Sequence, residues 1–247
     1  MATLLAETVP LMTRWKPKSH RMPIGLVLLS RGMIRDDQLR AALDRQRAEG
    51  GLLGSWLQQM GAVSEEDLTS ALATQWSCPI FPLGGERSFI QCSAMLPLEI
   101  IRAARMLPVY MSRGQNSVYI AFVDGVDHSW LRAAEQMIGC HAVPCLVTES
   151  AFRSAIDEIS SAARSEEFSF DSVTEIREMS RITRSFALQL QAKFVQLLGC
   201  REFAWARIHS SGVARDLIFR LPLATSAPSL ARLPLKRTDF SPMYQPG

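Results

Sequence analysis

The sequence holds 247 residues, 47% hydrophobic and 21% charged, a balance that fits a folded protein of two or three small units and excludes a charge-rich disordered chain. Its apolar runs, such as 23–30, fall far short of the ~18–20 residues a membrane span requires. The N-terminus places Glu7 inside its apolar start and its basic residues downstream, the wrong order for a signal peptide. Five cysteines, an odd number, fit reduced thiols, and the reading is a cytoplasmic protein. The net charge of +3 is unevenly laid out, with twelve Lys/Arg against eighteen Asp/Glu in residues 22–171 and basic excess on both sides. That pattern suits an acidic partner, an anionic surface or contact between the chain's own segments, and charge alone does not choose among them.

Residues 1–21, with Pro10, Pro17, Lys16 and Lys18, lack periodicity and predict a flexible basic arm. Two similar units then fill residues 22–77. Gly25, Leu28, Gly32, Leu39, Ala42, Leu43 and Gln46 match Gly54, Leu57, Gly61, Leu68, Ala71, Leu72 and Gln75, every pair offset by 29. Each unit predicts a short helix, a glycine stop and a longer helix, so the pair forms a small four-helix unit. Gly32 and Gly61 stand where a residue of positive φ ends the short helix. Ser64 with Asp67 has the spacing of a capping box, a start that Arg35 lacks in the first unit.

An α+β unit is predicted over 78–163. Its elements are a helix over 97–105, strands at 107–111 and 118–123, a helix over 128–138 capped by Asp127, a strand at 141–147 and a helix over 149–163 capped by Thr148. Residues 164–171 read as a polar linker. Ser172 and Glu175 have capping-box spacing, and Met179, Ile182, Phe186, Leu190, Phe194 and Leu197 predict one long amphipathic helix over 172–198. Its apolar stripe needs cover, from a β-hairpin flanking 209–212 or from a second chain in an oligomer. The tail, 222–247, holds five prolines and predicts disorder. The fold class is therefore α+β: tandem helix pairs, a small sheet subdomain, then a long helix plus a β-hairpin.

The repeat resembles the N-terminal domain of the type II secretion and type IV pilus assembly ATPases, the MshEN type. That family's motif, Arg-Leu-Gly-x-x-Leu-Leu-x-x-Gly followed by Leu-x-x-Ala-Leu-x-x-Gln, occurs twice and binds cyclic di-GMP. Met95-Leu96-Pro97, Leu107-Pro108-Val109 and 118–127 resemble the family's α+β half, so the likeness spans about residues 22–160. The resemblance implies ligand contacts at Ile24, Gly25, Leu28, Leu29, Gly32 and Gln46, and at Leu53, Gly54, Leu57, Gly61 and Gln75. Glycine admits close approach of a backbone amide to phosphate, leucine offers purine faces an apolar surface, and glutamine can bond a base edge. The sequence departs from the motif where Pro23 and Leu52 replace the arginines and Gln58 replaces the second leucine. Arginine is the residue suited to forked contact with phosphate or guanine. Arg21, Lys16 and Lys18 are the nearby cations available to substitute. The same leucines and glycines, read without the resemblance, form a packed core with terminated helices, and Gln46 and Gln75 then need polar partners.

The family's motor requires a Gly-x-x-x-x-Gly-Lys-Ser/Thr loop. The sequence has four lysines, none after a glycine, and ends where a motor would begin, so no ATPase activity is expected. Cys140, His141 and Cys145 lack a fourth ligand for a structural zinc site, and no metal is expected. Asp127 beside His128 and His209 beside Ser210 read as a helix start and a turn rather than catalytic pairs. No basic-aromatic array supports nucleic-acid binding. The reading is a non-enzymatic adaptor or regulatory module that docks to protein components of a secretion or pilus machine, its ATPase or its inner-membrane platform. The alternative is a cyclic di-GMP sensor using the repeat. Neither needs a cofactor, and neither spans a membrane.

Overall fold

The computed structural model describes residues 21–83, 88–161, 167–173, 175–211 and 214–221. The predicted arm, apart from Arg21, and the predicted tail lie outside them.

The repeat folds as four helices, α1 (Ile24–Ser30), α2 (Asp36–Glu49), α3 (Leu53–Gln59) and α4 (Glu65–Trp76). Both short helices end in the same paired closure. Gly32 and Met33 donate to the carbonyls of Leu29 and Leu28, while Gly61 and Ala62 donate to those of Gln58 and Leu57. The two glycines take φ of +68° and +65°, the left-handed conformation this closure demands. Ser64 Oγ accepts the Asp67 amide at 3.1 Å and caps α4. Arg35 cannot do the same for α2; instead Gln38 Oε1 accepts the Arg35 amide at 2.9 Å, and Asp36 and Asp37 meet the positive end of the helix.

The next unit contains α5 (Ser88–Ser93), α6 (Leu98–Ala104), β1 (Met106–Ser112), β2 (Ser117–Phe122), α7 (His128–Ile138), β3 (His141–Leu146) and α8 (Glu149–Ser161). β1 pairs antiparallel with β2 and β2 parallel with β3, so α7 supplies the crossover that a parallel pair needs. Asp127 Oδ1 caps α7 by accepting the Ser129 and Trp130 amides, and Thr148 Oγ1 accepts the Ala151 amide before α8. Of this unit the sequence reading lacked only α5.

Beyond residue 166 the structure corrects the sequence. The predicted helix over 172–198 divides. α9 runs Ile176–Gln189, and Phe194–Cys200 is a strand, β5. The chain turns through Gln191, whose φ is +49°, while Ala192 donates to Ala187 O. Phe194 and Leu197 continue the helical spacing in sequence but sit in a ladder with β6 (Phe203–His209). Glu175 stands at the N-cap of α9 without a side-chain cap bond, so the predicted Ser172/Glu175 box is not formed. Four residues of the predicted linker form β4 (Glu167–Phe170), which pairs with β7 (Ala214–Arg220). The expected hairpin β6–β7 is therefore the middle of a four-stranded sheet ordered β4-β7-β6-β5.

That sheet is apolar on both faces. Ala206, Ile208, Leu217 and Phe219 pack under α9 with Met179. Phe203, Trp205 and Ile218 join the core of the first sheet, where the Trp130 ring lies 5.9 Å from Phe203. Polar links seal the contact. Glu167 accepts the Leu98 amide at the start of α6, Glu99 holds Arg220 and Ser169, and Arg201 pairs with Asp127. On the same face Arg207 and Asp216 form a forked pair with two 2.8 Å bonds, and Trp205 Nε1 donates to the same carboxylate. Their side chains are 8% and 6% exposed, so neither charge has water to fall back on. Removing one partner strands the other charge, and Asp216→Ala is expected to destabilise the protein by about 3–5 kcal/mol in urea denaturation. Little change in the midpoint would show the pair to be dispensable.

Candidate functional site

The repeat is closed by two equivalent hydrogen bonds that cross between its copies. Gln46 Nε2 donates to Gly51 O at 2.9 Å, and Gln75 Nε2 donates to Met22 O at 2.8 Å. Gln46 and Gln75 are 29 residues apart, and so are Met22 and Gly51. Each long helix thus clasps the residue that precedes a short helix, α2 holding the entry to α3 and α4 the entry to α1. The two copies are related by a local two-fold exchange. The expectation that these glutamines need polar partners is met by backbone carbonyls.

The other candidate contacts divide by burial. Leu28 and Leu57 are fully buried in the repeat's core, with Ile24, Leu29 and Leu53 packed partly buried against it. Gly25 and Gly54 give Leu39 and Leu68 room to insert, since a Cβ would lie 2.6 Å and 2.8 Å from their methyl groups. Gly32 and Gly61 are exposed and close helices. The structure therefore gathers the candidate residues into one pseudo-symmetric unit, and gives each a packing or closing task there.

The motif's arginine positions lie on the surface. Pro23 and Leu52 are the N-cap residues of α1 and α3, and Leu52 is 52% exposed. Gly25 lies against Leu53, so the two helix starts are neighbours. Where the motif has two arginines, this chain has two exposed uncharged residues. Arg21 is committed elsewhere: its guanidinium lies 3.5 Å from the centre of the Trp76 ring, and its Nη2 is 2.9 Å from His128 Nε2. Lys16 and Lys18 lie outside the described residues. Arg31, which reaches across to Ser70 Oγ at 3.3 Å, is a cation on the repeat that the sequence reading passed over.

Trp76 joins the repeat to the sheet unit. Its indole lies so close to Gly125 that a Cβ there would be 2.5 Å from Nε1, and Gly125 has φ of +112°. Around this contact Arg105, Asp124, Val126 and Asp127 help to line a cavity of about 300 Å³. Its charges are already matched, Arg105 to Asp124 and Glu149, and Asp127 to Arg201. Burial lowers the His128 pKa below its ordinary 6.5, reinforced by Arg21 and Arg132 and opposed by Asp127. Burial likewise raises the Cys78 thiol to about 12, which makes it inert.

The remaining constellations are structural in place. His141 Nδ1 meets Glu135 Oε1 at 2.7 Å, and Cys145 is fully buried on β3. His209 Nε2 meets Gln196 Oε1 at 2.6 Å and its ring stacks on Phe194. Among the described residues, no cluster of three His, Cys, Asp or Glu side chains could hold a metal, and no helix is long and apolar enough to cross a membrane.

Comparison with known proteins shows where this architecture recurs. Residues 76–166 match the MshEN domain, starting at the last residue of α4 and covering the first sheet. The type IV pilus assembly ATPase PilB of Thermus thermophilus is 29% identical over 133 residues, 54% of this chain and 15% of PilB. A solved structure of MshE with cdg matches with a TM-score of 0.50 and 26% identity, covering 56% of this chain and 99% of that one. The N-terminal domain of XpsE matches with a TM-score of 0.41 and 22% identity, over 54% of this chain and 91% of that one. Residues 76–166 thus carry a likeness to the MshEN domain, and the chain spans 15% of the length of the curated pilus ATPase it matches.

The junction makes two expectations. Gly125→Ala forces a left-handed backbone and a clash with a fixed ring, and should cost about 2 kcal/mol or more in denaturation; a neutral result would show that Trp76 can move aside. His128, its folded pKa depressed, favours the fold when neutral. Stability it contributes is present above pH 6.5 and lost as pH falls below that value. Melting temperature should therefore fall from about pH 7.5 towards about 5.5, and fall less in His128→Gln. Equal slopes for the two proteins would remove His128 from the account.

Proposed function

We propose that the chain is a non-enzymatic adaptor or regulatory module, built on the N-terminal domain of secretion and pilus ATPases and docking to protein components of such a machine. Its partner on this reading is the ATPase or the inner-membrane platform, reached from the cytoplasm, with no nucleic acid, cofactor or membrane span involved. The observation that carries the reading is the contrast within the repeat. The cross-bonds from Gln46 and Gln75 keep the scaffold, while Pro23 and Leu52 leave both motif arginine positions uncharged on the surface. An intact scaffold with no charge at those positions suits protein docking better than phosphate binding. The sequence also contains no Gly-x-x-x-x-Gly-Lys-Ser/Thr loop for nucleotide hydrolysis.

The second reading is a cyclic di-GMP sensor, favoured by one observation, that MshE was solved with cdg, cyclic di-GMP. Ile24, Gly25, Leu28, Leu29, Gly32 and Gln46, with Leu53, Gly54, Leu57, Gly61 and Gln75, would be its contacts. Each charge-assisted bond lost with an arginine is worth ~1.5–3 kcal/mol, or roughly 10- to 100-fold in affinity. Calorimetric titration of cyclic di-GMP into the wild type and into Pro23→Arg/Leu52→Arg separates the two. The adaptor reading expects no heat from the wild type at high micromolar ligand and restored binding in the double variant. Low-micromolar binding by the wild type would establish the sensor and displace the adaptor reading.

A further inference from the structure

The chain enters the repeat through two residues held by the last turn of α4. Gln75 Nε2 donates to Met22 O, and the Arg21 guanidinium lies 3.5 Å from the centre of the Trp76 ring. Trp76 is itself fixed by its close fit against Gly125. A stack of this kind is a modest tie for a half-buried cation. The second tie on Arg21 is the contact of its Nη2 with His128 Nε2 at 2.9 Å. The His128 ring also lies 5.8 Å from the Trp76 ring, so the three side chains form one cluster.

That contact requires one protonation state. An arginine stays charged and offers only donors, so His128 Nε2 has to accept and its ring has to be neutral. Protonation puts a hydrogen on Nε2 and leaves two cations facing each other at contact distance. Histidine is the side chain that makes this change near neutral pH. The charged groups facing His128 are Arg21 from the entry segment, and Arg132 and Asp127 from α7. Arg132, one turn along the helix, adds to the repulsion. Asp127 opposes it, but its carboxylate already accepts the Ser129 and Trp130 amides and pairs with Arg201. Across the cavity Arg105 and Asp124 are paired with each other. Cys78, which faces Arg21, keeps its proton, its thiol raised by burial to about 12.

We infer that Arg21 and His128 form a pH-sensitive latch, in which protonation of His128 releases Arg21 from Trp76 and frees the chain before Met22. Release stops at Met22, because neither Gln75 nor the Met22 carbonyl carries a titratable group. The Trp76 ring stays against Gly125 and loses only the cover that Arg21 gives it. The latch is closed above the His128 pKa, which burial and the neighbouring cations hold below 6.5, and it opens as pH falls through that value. It does not depend on whether the repeat binds a ligand or a partner.

Proton NMR of the full chain, titrated from about pH 7.5 to about pH 5 across the histidine range, tests the inference. Side-chain protons of Arg21 that lie over the indole are moved upfield by its ring current. In the wild type that upfield shift should disappear along the same curve on which His128 titrates. In His128→Gln, whose Oε1 accepts at every pH, the Arg21 signals should stay fixed. Arg21→Ala should raise the His128 pKa, because the bond that favours the neutral ring is gone. Arg21 signals that keep their upfield position while His128 titrates overturn the inference. So does a His128 pKa that Arg21→Ala leaves unchanged, a measurement that stands even if His128→Gln does not fold.

Discussion

A sheet that is apolar on both faces has to be covered on both, and most of this molecule's organisation beyond the repeat follows from that constraint. α9 covers one face of β4-β7-β6-β5 through Met179, Ile182 and Phe186. The other face has no helix of its own and shares the core of the first sheet, with Phe203, Trp205 and Ile218 buried among its residues. Burial at about 25 cal/mol per Å² makes such a shared core a far stronger tie than surface ion pairs. The ion pairs at its margin, Arg201 with Asp127 and Arg220 with Glu99, then set orientation more than strength. The buried fork between Arg207 and Asp216 belongs to the same face and fixes the register of β6 against β7.

The repeat follows a different logic, in which symmetry replaces size. Each copy is too small to bury its own stripe, and the exchange of long helices lets Leu28 and Leu57 share one core. The crossing glutamines satisfy carbonyls at both helix entries, so the scaffold is complete without any ligand. Ligand chemistry in such a unit would be an addition at its surface, at the N-cap positions. Pro23 and Leu52 stand there, and neither has a task in the repeat's core.

What was legible in the sequence was local. Glycine stops, the caps at Ser64, Asp127 and Thr148, and the 29-residue offset all act within a few residues or repeat them. The two substituted motif positions could be read directly as well. The bond partner of Gln75 could not, because Met22 lies in the other copy and is reached only through the way the copies exchange helices. β5 was missed because Phe194 and Leu197 continue the three- and four-residue spacing of α9, while their pairing with Ala206 and His209 is non-local. Gly199 gave no warning, because a glycine just past the predicted end at 198 reads as an ordinary helix stop. The reversal itself sits at Gln191, a residue type that gives no turn signal. β4 escaped because its two phenylalanines lie among Glu167, Ser169 and Asp171, which read as linker. The family likeness was read from the repeat, whereas the family match lies on residues 76–166.

Gln75 and Trp76 are consecutive, and they face different neighbours. One holds Met22 at the entry to α1, while the other fills the space above Gly125, ahead of the cap of α7. Asp127 in that cap grips Arg201, in the turn between β5 and β6. The last turn of α4 therefore carries, on two adjacent side chains, one tie to the entry of the repeat and one to the loop that meets the second sheet.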